Sequence, residues 1–214
     1  MRWSYAGVVV AAIMTGWIYR RARPPIWYRL EEFPMMQLLK DFYPQIRKEA
    51  MMIMKEEPVF KKHRPQGRWS EGHQGDFAQE LKKRNGWVHS WEAGNGGLLN
   101  YGLVYYDDIL GSKRAPLTCK ILEKIGKIRV AGFSWMKPHS KIKTHWDKTG
   151  YIYGSLALHV GLLCPEEGAY LEVHGEEVKQ ENGKVIVFDS TYWHSARNDS
   201  NQDRVVLYID FILQ

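Results

Sequence analysis

His145-Trp146-Asp147, His194 and, ten residues later, Arg204 are the side chains of this sequence best able to do chemistry together. Alternate residues of an extended strand point to one face, so a His-x-Asp pair on a strand offers an imidazole and a carboxylate side by side. A second histidine from a distant strand completes two imidazoles and one carboxylate. That set covers one face of an octahedral ion and leaves the other positions open, the arrangement of non-haem Fe(II) oxygenases. An arginine beyond the second histidine suits a small dicarboxylate cosubstrate, because guanidinium binds carboxylate through two parallel hydrogen bonds.

Strands must bring these residues together, and the flanking sequence has their pattern. Tyr151 to Cys164 reads YIYGSLALHVGLLC. One parity is small and polar (Ser155, Ala157, His159, Gly161); the other is apolar (Leu156, Leu158, Val160, Leu162). The last strand repeats the division, with Arg204, Val206, Tyr208 and Asp210 on one face and Val205, Leu207, Ile209 and Phe211 on the other. The apolar parity must be buried against a second layer, and the other parity is left to line a cavity holding His159 and Arg204. The alternative is a single half-solvated sheet with both residues exposed.

Six stretches in order carry a family resemblance. They are Phe133-Ser134-Trp135-Met136-Lys137-Pro138, Ile142-Lys143-Thr144-His145, Leu158-His159-Val160-Gly161-Leu162, Gly183 to Asp189, Trp193-His194 and Arg204 to Phe211. Together they resemble the catalytic domain of the aspartyl/asparaginyl β-hydroxylases, 2-oxoglutarate/Fe(II) oxygenases, over roughly residues 33 to 212. The resemblance implies a mainly β fold with flanking helices (α+β): a double-stranded β-helix, jelly-roll or cupin-like, preceded by an N-terminal helix. It further implies that His145 and His194 ligate Fe(II), and that Ser134 and Arg204 hold the distal carboxylate of 2-oxoglutarate. His159 would contact the cosubstrate nearer the metal. With O2 as oxidant, the implied reaction is hydroxylation of an unactivated carbon, with release of succinate and CO2.

Two positions depart from the family pattern. The best-known animal members have glycine where Asp147 stands and bind iron through two histidines. By parity Asp147 joins His145 as a metal ligand; the competing reading is that it caps the turn Asp147-Lys148-Thr149-Gly150. The family often has arginine two residues before the position of His159, and here that residue is Ala157.

The rest of the chain divides simply. Residues 1–23 read as a membrane anchor with a basic flank, 24–32 as a linker and 33–214 as the oxygenase domain, its β-helix core at about 128–213. From Trp3 to Tyr19 the sequence is an uncharged run of 17 residues with aromatic ends, followed by Arg20, Arg21 and Arg23. That length is at the short edge for a spanning helix. The arginines place the C-terminal flank, and so the catalytic part, on the cytosolic side. The bland alternative is a buried N-terminal helix. Leu39, Tyr43, Ile46, Ala50 and Ile53 form a helical stripe, with Pro44 starting or kinking the helix, and a second helix is expected at Leu117–Ile125. Between them, Pro58 to Asn100 is rich in Gly, Lys, Arg and His, and His63, His73 and His89 lack ligand spacing.

Net charge is +6, with basic clusters at Lys61, Lys62, Arg64 and Arg68 and at Lys82, Lys83 and Arg84. No nucleic-acid motif accompanies them, so a solvated face or an anionic membrane surface is the simpler reading than nucleic acid. Two cysteines, Cys119 and Cys164, make no disulfide framework. The expected substrate is an Asp or Asn side chain of a peptide or protein. The alternatives are an acyl chain of a membrane lipid, and a non-catalytic metal- or lipid-binding module on the same fold.

Overall fold

Alternating hydrophobicity builds two facing, mainly antiparallel sheets in this protein. The computed structural model describes residues 26–57, 59–60, 86–90 and 97–213. Strands are β1 (Trp27–Tyr28), β2 (Val59–Phe60), β3 (Trp87–His89), β4 (Leu98–Tyr105), β5 (Asp108–Ile109), β6 (Ile128–Met136), β7 (Ser140–His145), β8 (Ser155–Leu163), β9 (Ala169–Val173), β10 (Glu176–Lys179), β11 (Val185–Phe188), β12 (His194–Asn198) and β13 (Arg204–Ile212). Helices are α1 (Gln37–Asp41), α2 (Tyr43–Glu56), α3 (Pro116–Ile125) and α4 (Lys148–Tyr153).

The major sheet runs β1-β11-β8-β13-β6-β4-β3-β2, with β5 on β4; the minor sheet runs β10-β9-β12-β7. After β7 the chain passes repeatedly from one sheet to the other, through β8, β9–β10, β11, β12 and β13. Strands β6, β8, β11 and β13 face β7, β9, β10 and β12, which is a double-stranded β-helix.

The two parities of β8 and β13 separate as their sequences require. Leu156, Leu158, Val160, Leu162, Val205, Leu207, Ile209 and Phe211 join the larger core, against Leu39, Ile46, Ala50 and Ile53 of α1 and α2 and Leu122 of α3. A smaller cluster, including Leu98, Met136, Leu171, Ile186 and Phe188, lies between the sheets. The polar parity faces inward and is buried, so the half-solvated sheet does not form.

Pro44 sits in the first turn of α2, where its missing N–H costs nothing, so that helix starts at the proline as expected, with the short α1 before it. The second expected helix is α3, one residue longer at its start. Residues 26–32, expected as linker, contribute to the fold: Trp27 and Tyr28 pair with Phe188 and Val187, and Leu30 is buried. Trp27 and Tyr28 extend the edge of the sheet at β11, and the burial of Leu30 ties down the rest of the stretch. Among the described residues no helix is long and apolar enough to cross a membrane. The Trp3–Tyr19 run lies outside the described residues, as do His63, His73 and both basic clusters.

Candidate functional site

One cavity between the sheets collects all six residues singled out in the sequence. Ser134, His145, Asp147, His159, His194 and Arg204 line it, with Asn100, Arg129, Phe188 and Tyr208. Its volume is about 200 Å³, against roughly 10–15 Å³ for one water on that measure. The space suits a small molecule.

His145 ends β7 and His194 opens β12, and the two are cross-strand partners. Ring centroids lie 4.2 Å apart. The register gains one residue in β7 between Ile142, opposite Ala196, and His145, opposite His194. This bulge switches parity, so Ile142 and His145 both face the cavity although three residues apart. Asp147 follows with extended backbone, φ −89° and ψ 105°, at the start of α4. Its carboxylate makes no cap hydrogen bond to that helix. Ligand atoms of His145, Asp147 and His194 all lie within 4.8 Å of one another. His89, on β3, is not in that group.

Both imidazoles are held in the tautomer a metal requires. His145 Nδ1 lies 2.8 Å from the Lys143 carbonyl and His194 Nδ1 lies 2.9 Å from the Tyr192 carbonyl. A carbonyl only accepts, so each Nδ1 carries the proton and each Nε2 keeps its lone pair free. Burial holds His194 below the usual imidazole range; Asp147 opposes the shift and His145 adds to it.

Deeper in the cavity the residues form a second polar group. Arg204 opens β13 and is buried, and its Nε donates to Gln180 Oε1 at 2.7 Å. The Gln180 amide must then present its NH2 to His159 Nδ1, 2.9 Å away. His159 Nδ1 is therefore the acceptor, and its Nε2 carries the hydrogen. The ring is neutral, held well below its usual range by burial, by Arg204 and by His194. Burial pulls the Arg204 guanidinium down to about 10, and its Nη2 has no hydrogen-bond partner. A buried, half-satisfied guanidinium calls for an anionic oxygen ligand. Ser134 lies on β6 opposite Val206, and on the same lining.

Sequence reading missed Gln180 and Arg129. Gln180 is buried in the turn between β10 and β11, and it joins His159 to Arg204. The turn reaches them because Gly161 has no side chain: a Cβ there would sit 2.0 Å from the Glu181 carbonyl oxygen. Arg129 is the extra residue of a bulge in β6, between partners Asp210↔Val130 and Phe211↔Ile128. It lines the cavity and is ion-paired with buried Asp210. The available signal was a lone cation in the apolar run Ile128-Arg129-Val130-Ala131, matched by Asp210 on the cavity parity of β13.

An ornithine lipid ester-linked acyl 2-hydroxylase of Rhizobium tropici is 28% identical over 194 residues, 88% of this chain and 60% of that protein. The human aspartyl/asparaginyl beta-hydroxylase is 32% identical over 106 residues, 46% of this chain and only 13% of its own length. Among solved structures, an oxidoreductase of the 2OG-Fe(II) oxygenase family from Burkholderia pseudomallei aligns with a TM-score of 0.48 at 14% identity, covering 74% of this chain and 96% of that one. The family model described as aspartyl/asparaginyl beta-hydroxylase matches residues 40–213, and the chain belongs to that family.

Proposed function

We propose that this protein is an Fe(II)- and 2-oxoglutarate-dependent hydroxylase, with His145, Asp147 and His194 holding the metal and Arg204, Ser134 and His159 holding the cosubstrate. The observation that carries the reading is the pairing, in one cavity, of a three-ligand cluster within 4.8 Å with a buried guanidinium whose Nη2 lacks a partner. Bound there, Fe(II) with 2-oxoglutarate and O2 supplies the oxidising power to convert a C–H to a C–OH while the keto acid becomes succinate and CO2.

The chain's own residues do the positioning. Two carbonyl-anchored imidazoles offer Nε2, and Asp147 brings the one negative charge that a divalent ion prefers among oxygen and nitrogen donors. Arg204 would hold the far carboxylate, Gln180 fixes Arg204, and His159 Nε2–H would donate to an oxygen nearer the metal. Phe188, Leu171 and Ala196 keep the walls apolar, which excludes water from the reacting carbon.

The favoured substrate is an Asp or Asn side chain of a peptide, by analogy with the human relative. A second reading, hydroxylation of a lipid acyl chain, has its own support: Trp146 and Trp193, sequence neighbours of the two histidines, are exposed. The lipid hydroxylase relative also matches most of this chain. Anaerobic loading with Fe(II) and 2-oxoglutarate, then O2 and a succinate assay against peptides and lipid extracts, tests both. Succinate formation that His194→Ala abolishes is expected; equal turnover in that variant would remove the assignment.

A further inference from the structure

Six of the ten exposed large apolar side chains among the described residues gather at one end of the β-helix: Tyr106, Trp146, Ile152, Tyr153, Trp193 and Leu213. They form one patch. Trp146 and Trp193 meet edge to face at 6.5 Å, and Tyr106 and Tyr153 at 6.3 Å. Helix α4 carries Ile152 and Tyr153 directly after Trp146, and the Leu213 N–H bonds to the Gly154 carbonyl. Ile152 and Trp193 are the most open, at 59% and 57%. This is the end at which His145, Asp147 and His194 lie.

The patch has the chemistry of a lipid–water boundary. Trp and Tyr prefer the headgroup level, where an apolar ring and a polar edge are both satisfied, and Ile152 and Leu213 add aliphatic surface. Lys143 of β7 and Lys148 of α4 are exposed beside it. Asp107 and Asp108 are the exposed acids of the neighbouring hairpin, and Asp107 accepts from the Ile128 N–H. Strand β7 is the open edge of the minor sheet, and a lysine-bearing edge discourages an added peptide strand while suiting anionic headgroups.

The path of the chain agrees. The described fold begins at Ile26, whose carbonyl accepts from the Asp189 N–H in the loop that carries Trp193. Trp27 Nε1 bonds Glu176 at 2.7 Å. The first described residue therefore lies at this same end.

We infer that the rim of Tyr106, Trp146, Ile152, Tyr153, Trp193 and Leu213 is a docking surface for an anionic membrane. Docking sets the end that carries His145 and His194 against the bilayer; resting on the hydroxylase reading of the cavity, it favours the second of the two substrate readings above, a lipid acyl chain, over the peptide one.

The test follows the rim itself, since the N-terminal run could hold the chain to vesicles by itself. The full chain takes an environment-sensitive fluorophore on Ile152→Cys, or on Gln202→Cys in the β12–β13 turn at the opposite end. Cys119 and Cys164 are buried, with thiols pushed up to about 12 and about 11 by burial, so they compete poorly for the label. Vesicles of phosphatidylcholine with phosphatidylglycerol should shift the emission of the label at 152 to the blue and leave that at 202 in water. Phosphatidylcholine alone should do less, and Trp146→Ser/Trp193→Ser should diminish the shift.

Co-sedimentation with vesicles without a shift at 152 would overturn the inference, as would equal shifts at both positions or no sedimentation. A shift raised by a soluble Asp- or Asn-containing peptide instead of vesicles would make the rim a peptide surface. One that grows with protein concentration alone would make it a self-association surface. No readout depends on turnover, so failure of docking is separate from failure of the hydroxylase reading.

Discussion

Arg204 and Asp147 show how much a single side chain decides here. Arg204 is buried, with one nitrogen on Gln180 and Nη2 open. Arg204→Ala should weaken 2-oxoglutarate binding by roughly 30- to 5,000-fold, the ~2–5 kcal/mol that loss of a desolvated charge partner costs. Fe(II) affinity should stay nearly constant; anaerobic titration separates the two. Asp147 lies between two readings that the sequence left open, ligand and cap. Its carboxylate leaves the helix end unbonded and joins the histidine pair. Asp147→Ala should lower Fe(II) affinity by more than the ~10–100-fold that outer-shell partners cost, as measured by calorimetry without O2; unchanged affinity would leave a two-histidine site. The residues that converge here were legible because imidazole, carboxylate and guanidinium are rarely placed on an inward strand parity without use. Gln180 was not, since a turn amide has no periodicity and earns its role only through what the turn touches.

Elements supply the aim that residue types cannot. Alternation in β8 and β13 predicted which face is buried, and the larger core follows it. Bulges broke the same rule where it matters: one in β7 turns His145 inward, and one in β6 turns Arg129 inward. An extra residue is invisible until the partner strand is known, so His145-x-Asp147 reached the right face by a different geometry from plain alternation. Residues 26–32 were misread for a related reason, because a two-residue strand is defined by its neighbour β11 and not by its own pattern. Gly161 is the element-scale prediction. A methyl group there would lie 2.0 Å from the Glu181 oxygen and would push the β10–β11 turn, with Gln180, off His159 and Arg204. Gly161→Ala should weaken 2-oxoglutarate binding, spare metal binding, and cost ~1–3 kcal/mol of stability from overpacking. A denaturant series beside the cosubstrate titration checks both.

Across the whole molecule, polar groups in the cavity are held at the expense of a dry interior. Arg129 and Asp210 form a buried ion pair between β6 and β13, the second of them fully enclosed. Asp210→Leu alone should cost ~3–5 kcal/mol by leaving Arg129 buried and unpaired, whereas Arg129→Met/Asp210→Leu should recover most of that loss. Urea midpoints of the two variants decide it, and equal midpoints would mean that the pair is already solvated. Arg204 differs from Arg129, because its neighbour is a neutral amide. Its charge is an open account in the folded chain that a dicarboxylate closes. The cosubstrate is thus also a ligand for folding. At 100 times its dissociation constant such a ligand adds ~2.7 kcal/mol, and each kcal/mol raises the melting temperature of a chain this size by ~2–4 °C. Melting under anaerobic Fe(II) should rise with 2-oxoglutarate in the native chain and stay flat in Arg204→Ala. The keto-acid supply would then govern how long the folded protein lasts as well as how fast it turns over.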